Sequence, residues 1–157
     1  MKLTTMTLAA ALVAGSAMAE GVVAPQDVKF NEDGGVDMSL TGKPGNPEEG
    51  FKVYSSKKLG NCIACHMIAS VDAPFPGNVG PELTGVGDRW DEAQLRGILV
   101  NSKMTFEGTV MPGYYKVDGF IRPGNAYTGK AADDSFGPLL SAEQIEDVVA
   151  YLSTLKE

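Results

Sequence analysis

The sequence predicts an all-α domain with long connecting loops, and three observations predict it. Two stretches, Asp91 to Gln94 and Ser141 to Gln144, have the capping-box pattern and lead into apolar residues at helical spacing. A third helix start stands at Asn46-Pro47-Glu48-Glu49. There Asn46 can accept from the free amides, Pro47 fits the first helical position, and the acids suit the positive helix end. Finally, the stretch from Ala73 to Trp90 is too rich in glycine and proline for helix or strand.

Size and charge bound what such a domain can do. The 157 residues suffice for one domain with a modest core, and 43% hydrophobic residues is ordinary for a globular chain. Thirteen basic residues against 20 acids give a net charge of −7, which argues against nucleic acid or an anionic lipid surface as partner. An acidic face suits a basic protein partner and repels small anions.

Taken in order, residues 1–19 read as a secretory signal peptide. Lys2 is its positive start, Met6 to Val13 its apolar run, and Ala17-Met18-Ala19 its small-residue cleavage site. The apolar run is too short to span a bilayer, so no membrane insertion is expected after cleavage, and the destination is the periplasm. Losing Lys2 leaves 12 basic residues against 20 acids, a net of −8. Residues 20–45 form a polar, turn-rich extension. Val28 and Phe30 alternate before Asn31-Glu32-Asp33-Gly34-Gly35, and Val36, Met38 and Leu40 after it, which fits either a small hairpin or a loose arm. A helix is then expected from Asn46 to about Lys58. Gly50 and Tyr54 share one face of it, so a second helix can approach over the glycine.

Next comes Cys62-Ile63-Ala64-Cys65-His66. Two cysteines three positions apart on one helical turn can reach both vinyl groups of one porphyrin edge, and the following imidazole is then presented to the iron. A redox dithiol is a poorer reading, because such motifs follow a strand and this one follows a predicted helix. A structural zinc site needs about four ligands, and the chain has one histidine and two cysteines. The motif therefore points to one covalently attached haem c, held by Cys62 and Cys65 with His66 on the iron. Export agrees, since this attachment takes place outside the cytoplasm.

After the glycine- and proline-rich loop, a helix begins near Asp91, with Leu95, Ile98 and Leu99 on one face. The terminal helix carries Ile145, Val148, Val149, Leu152 and Leu155, with Tyr151 alongside, and reads as scaffold. The order of helix, haem motif, Gly-Pro-x-Leu loop, middle helix, Met-Pro and terminal helix resembles the class I cytochrome c family. The resemblance implies a cytochrome c domain over 46–157. It also implies that the Pro81 carbonyl accepts a hydrogen bond from the proximal histidine, a contact that fixes the imidazole tautomer. Arg89 and Trp90 are candidates to meet the haem propionates, with plain surface exposure as the other reading.

The sixth ligand has four sulfur candidates: Met38, Met67, Met104 and Met111. Met67 directly follows His66 and cannot easily cross to the other face of the ring, while Met38 lies in the extension. The family's ligating methionine commonly stands in a Met-Pro loop, which favours Met111 over Met104. His/Met ligation raises the reduction potential and closes the iron to substrates.

From Gly113 to Leu140 runs a long loop with the aromatics Tyr114, Tyr115, Phe120 and Tyr127. Such loops are usually functional. Its aromatics either meet a partner or pack back on the domain. Gly60 to His66, Val110 to Lys116 and Ile145 to Leu155 are similar to the SoxX family of sulfur-oxidation cytochromes. That resemblance implies a monohaem subunit paired as a heterodimer with a SoxA-type haem subunit. Together they oxidatively join thiosulfate to a cysteine of a carrier protein, and the haem passes electrons to a downstream acceptor. No catalytic site of its own is expected in this chain, because both thiols serve the haem. A free cytochrome c shuttle is the alternative. A haem peroxidase would need a distal base, and the chain has no second histidine.

Overall fold

The computed structural model describes residues 21–124, 129–133 and 135–157; residues 1–19, where a signal peptide is expected, and Tyr127 lie outside them. Among the described residues four α-helices carry the fold: α1 Pro47–Ser55, α2 Val86–Arg89, α3 Glu92–Asn101 and α4 Ala142–Ser153. Among the described residues the only β pairing is an isolated bridge between Gly124 and Ala131.

The helix starts form as their caps dictate. The Asn46 side chain accepts from the amides of Glu48 and Glu49, and complete capping boxes join Asp91 to Gln94 and Ser141 to Gln144. α1 ends at Ser55, short of Lys58. A turn over residues 56–61 replaces its last turn: the amides of Leu59 and Asn61 donate to Ser56, Gly60 donates to Val53, and Asn61 sits in the left-handed region with φ 49°. α2 is a single turn that the composition of its loop concealed. It begins after Gly85, whose φ is 66°, and its Gly87 amide donates to Leu155 at the end of the chain.

The central packing is α1 on α4, with α3 on the other flank of α4. Gly50 permits the first contact, since a Cβ there would overlap the Asp147 carbonyl. The spacing of Gly50 and Tyr54 predicts this close approach. Tyr54, Ile145 and Val148 are almost completely buried behind it, and each apolar side chain so buried contributes about 1.5–3 kcal/mol.

The extension forms no hairpin. A turn closes where Asn31 and Gly35 pair, and the Val23 amide donates to the Leu40 carbonyl across the arms at 2.8 Å, but no strand ladder forms there and the second arm is bonded to the helices. The Val36 amide donates to Ala93 before α3's second turn, and Leu40, 1% exposed, donates its amide to Glu146 of α4. Glu146 also holds Arg96 of α3 in a two-pronged buried pair, 2.8 and 3.0 Å, and Arg96 donates its remaining arm to the Val36 carbonyl. Val36 and Leu40 satisfy their part of the apolar alternation by burial on α3 and α4, while Met38 stays exposed.

Candidate haem-binding site

Residues 62–64 make one 3-10 turn, and the amides of Cys65 and His66 donate to the Cys62 carbonyl at 3.0 and 2.9 Å. That turn follows directly from the chain reversal at Gly60-Asn61. It puts Cys62 inward, against Tyr54 and Ile68, and Cys65 at the surface, with both thiols free. Burial pushes the Cys62 thiol up to about 11. The Tyr54 hydroxyl donates to the His66 carbonyl at 2.8 Å, which fixes the backbone of the histidine from α1.

The ring of His66 is fixed from the other side. Its Nδ1 lies 2.8 Å from the Pro81 carbonyl. A carbonyl can only accept, so the proton sits on Nδ1 and Nε2 is left as the nitrogen for a metal. The loop bearing Pro81 is laced to the motif by three amides, Gly77 to Ile63, Gly80 to Cys65 and Leu83 to Met67, each at 2.9 Å. Gly80 has to be glycine for this, because a Cβ would overlap the His66 ring. The loop continues into a second set of ties. Thr84 accepts from the Ala69 amide at 2.9 Å, and Arg89 donates to the carbonyls of Glu82 and Thr84 at 3.0 and 2.7 Å. Arg89 therefore braces the loop that carries Pro81. Trp90 is half-buried, with its ring set edge-on to Phe106.

Among the sulfur candidates Met111 alone is less than one-third or so exposed and packs against the main core; Met38, Met67 and Met104 stand 60%, 39% and 51% exposed. The Met111 carbonyl accepts from the Ser102 hydroxyl at 2.8 Å and from Lys103 at 3.2 Å. Beyond it, Tyr114 and Tyr115 turn into the domain, 8% and 4% exposed, and donate their hydroxyls to Gly60 and Val23. Phe120 and Phe136 meet edge to face near the surface, and Ile121 is fully exposed. Of the loop's two readings, packing back holds for the tyrosines next to Met111, and an outward face is left to Phe120, Ile121 and Phe136.

Sequence reasoning did not find Gly77, Gly80, Thr84 or the inward role of Tyr114. The Gly80-Pro81 pair was the one available signal, since a glycine before that proline marks close backbone approach.

These residues fit a covalently bound haem. Two free thiols stand at the attachment spacing, and the imidazole has one nitrogen engaged by a carbonyl. The segments flanking His66 and preceding Met111 also leave Phe75, Val79, Met104, Phe106 and Val110 exposed, an apolar excess suited to cover a porphyrin. A family model described as Cytochrome c matches residues 47–156, and the chain belongs to the cytochrome c family, with one covalently bound haem c. A search of curated proteins finds no match. Among solved structures, a chain in the crystal structure of SoxXA from P. pantotrophus is 58% identical, with a TM-score of 0.82. That match covers 87% of this chain and 100% of that one. Within the family the chain is thus of the SoxX type, a class I cytochrome c whose work is electron transfer.

Proposed function

We propose that the chain is the electron-transfer subunit of a periplasmic complex that joins thiosulfate to a carrier-protein cysteine, with a SoxA-type haem subunit as its partner. The 58% identity to a chain of SoxXA, over the whole of that chain, carries this reading. The net reaction takes a thiol and thiosulfate to a cysteine S-thiosulfonate, releasing one proton and two electrons. The haem supplies one-electron exchange at its iron, so the two electrons leave singly. In this chain Cys62 and Cys65 would anchor the haem, His66 and Met111 would ligate its iron, and Pro81 holds the His66 tautomer. Arg89 and Trp90 would border the haem, with Arg89 acting through the carbonyls of Glu82 and Thr84. Residues 1–19 direct export and are removed. No helix among the described residues is long and apolar enough to cross a membrane.

Phe120, Ile121 and Phe136 supply the apolar part of the partner-facing surface, with Lys116 over the Phe120 ring at 5.0 Å. A permanent interface of this kind outlasts salt, whereas an electrostatic encounter is screened. Co-expression with a SoxA-type subunit is expected to give a heterodimer that survives gel filtration at high salt and oxidises thiosulfate when its carrier protein and an electron acceptor are supplied. Changing Phe120, Ile121 and Phe136 to serine is expected to release the subunit with its haem spectrum intact. A chain that never co-elutes with such a partner, yet exchanges electrons freely with soluble redox proteins, would make it a shuttle.

A further inference from the structure

We propose that Tyr114 is a positioning residue that ties the loop bearing Met111 to the turn carrying Cys62, and so sets how readily the distal ligand leaves the iron. This rests on the reading of Met111 as that ligand. Tyr114 lies three residues beyond Met111, separated from it by Pro112 and Gly113, and is held at three points. Its amide donates to Leu99 at the end of α3, its carbonyl accepts from Leu140 ahead of α4, and its hydroxyl donates to the Gly60 carbonyl, each at 3.0 Å.

Gly60 is the residue that turns the chain into the attachment motif. It is buried, and a Cβ on it would stand 3.1 Å from the Cys62 sulfur. One phenol thus joins two segments 54 residues apart in sequence, the one that leads into the attachment cysteines and the one that carries Met111. The short, proline-stiffened link leaves Met111 little freedom while Tyr114 stays in place. The other end of the link is fixed too, by Ser102 and Lys103 on the Met111 carbonyl. Removing the phenol hydroxyl leaves a buried carbonyl without a donor, and the loop can then move to rehydrate it.

The test uses the holoprotein with Tyr114→Phe, Tyr115→Phe and Met111→Ala, reading the sulfur-to-iron charge-transfer band and the rate of cyanide binding to the ferric iron. Tyr114→Phe is expected to keep its haem and its band at neutral pH, to lose the band at lower temperature than the parent, and to bind cyanide about tenfold faster. Tyr115→Phe, whose hydroxyl bonds Val23 instead, is expected to bind at the parental rate. Met111→Ala is expected to lack the band throughout; a band that persists there overturns the ligand reading. A band lost in Met111→Ala, with Tyr114→Phe binding cyanide at the parental rate, overturns the role of Tyr114 and leaves the ligand standing. Hydrogen exchange on the unmodified holoprotein gives a check that needs no variant. Saturating cyanide is expected to speed exchange at the amides of Tyr114 and Leu140, and unchanged rates there refute the coupling.

Discussion

Glu146→Ala removes the acceptor on which the extension, α3 and α4 converge. In the parent its carboxylate takes the Leu40 amide and two donors of Arg96, at 2.8 to 3.0 Å, and both charged side chains are about 5% exposed. Without it the Arg96 guanidinium keeps the Val36 carbonyl and a 3.9 Å approach to Glu92, whose own side chain is 68% exposed. Stripping one partner from a buried pair costs about 3–5 kcal/mol. Against a total of about 5–15 kcal/mol, that lowers the melting temperature by on the order of 10 °C. Denaturant unfolding of the holoprotein, followed by helical circular dichroism, measures the loss. Glu146→Gln keeps an acceptor for Leu40 while dropping the charge, so it should fall between parent and alanine. The double change Arg96→Met with Glu146→Leu should recover part of the loss. About 1–3 kcal/mol should remain, because the Leu40 amide and the Val36 carbonyl stay unpaired. Amide exchange localises the effect, with Leu40 accelerating most. A Glu146→Ala protein within about 1 kcal/mol of the parent, with Leu40 exchanging no faster, would refute the assignment of this pair as the fastening of the extension.

Gly80→Ala places a methyl against the His66 ring, and overpacking of this kind costs about 1–3 kcal/mol. The displaced ring loses its bond to Pro81, the imidazole becomes a weaker donor, and the reduction potential is expected to rise; an unchanged potential in redox titration would refute the contact. Tyr115 gives a pH test, because burial holds its phenol neutral above the ordinary 10.0. The unfolded chain releases that proton first, so this contribution is complete below about pH 10 and is lost as pH rises through the folded value. Tyr115→Phe should therefore be less stable by about 0.5–1.5 kcal/mol at neutral pH and show a shallower alkaline decline, as read from unfolding midpoints across that range.

What the sequence made legible was what is local. The caps at Asn46, Asp91 and Ser141 act within three or four residues, and each starts its helix as expected. Gly50 was readable for the same reason, since helical periodicity alone puts it on one face with Tyr54. The haem motif is local too, and the family resemblance supplied Pro81, 15 residues away. The extension stayed open between hairpin and loose arm because alternation along a strand and alternation along an arm lying on helices look alike. Val36 and Leu40 are buried, and apart from the Val23 amide on the Leu40 carbonyl their partners are Ala93, Arg96 and Glu146 on the helices. Nothing in the sequence pairs Arg96 with Glu146 across 50 residues, or turns Tyr114 inward to Gly60 rather than outward.

The two sides of the haem site depend on the rest of the fold to different degrees. The proximal side is fastened by neighbours in sequence. Tyr54 holds the His66 backbone, Pro81 its ring, and Arg89 and Thr84 the loop beneath, all between residues 54 and 89. The distal side has no regular structure of its own. Met111 is held by Ser102 and Lys103, just after α3, and Tyr114 and Tyr115 by the carbonyls of Leu99 and Val100 within it. Those holds are only as firm as α3, which is tied through Arg96 to Glu146 and the extension. Partial unfolding that frees the extension should therefore loosen the Met111 loop while the bond between His66 and Pro81 persists. An electron carrier built this way keeps its proximal ligand oriented by local bonds, a supporting shell that limits movement when the iron changes charge. Met111, the proposed distal ligand, is instead held through contacts that run by way of α3 to Glu146 and the extension.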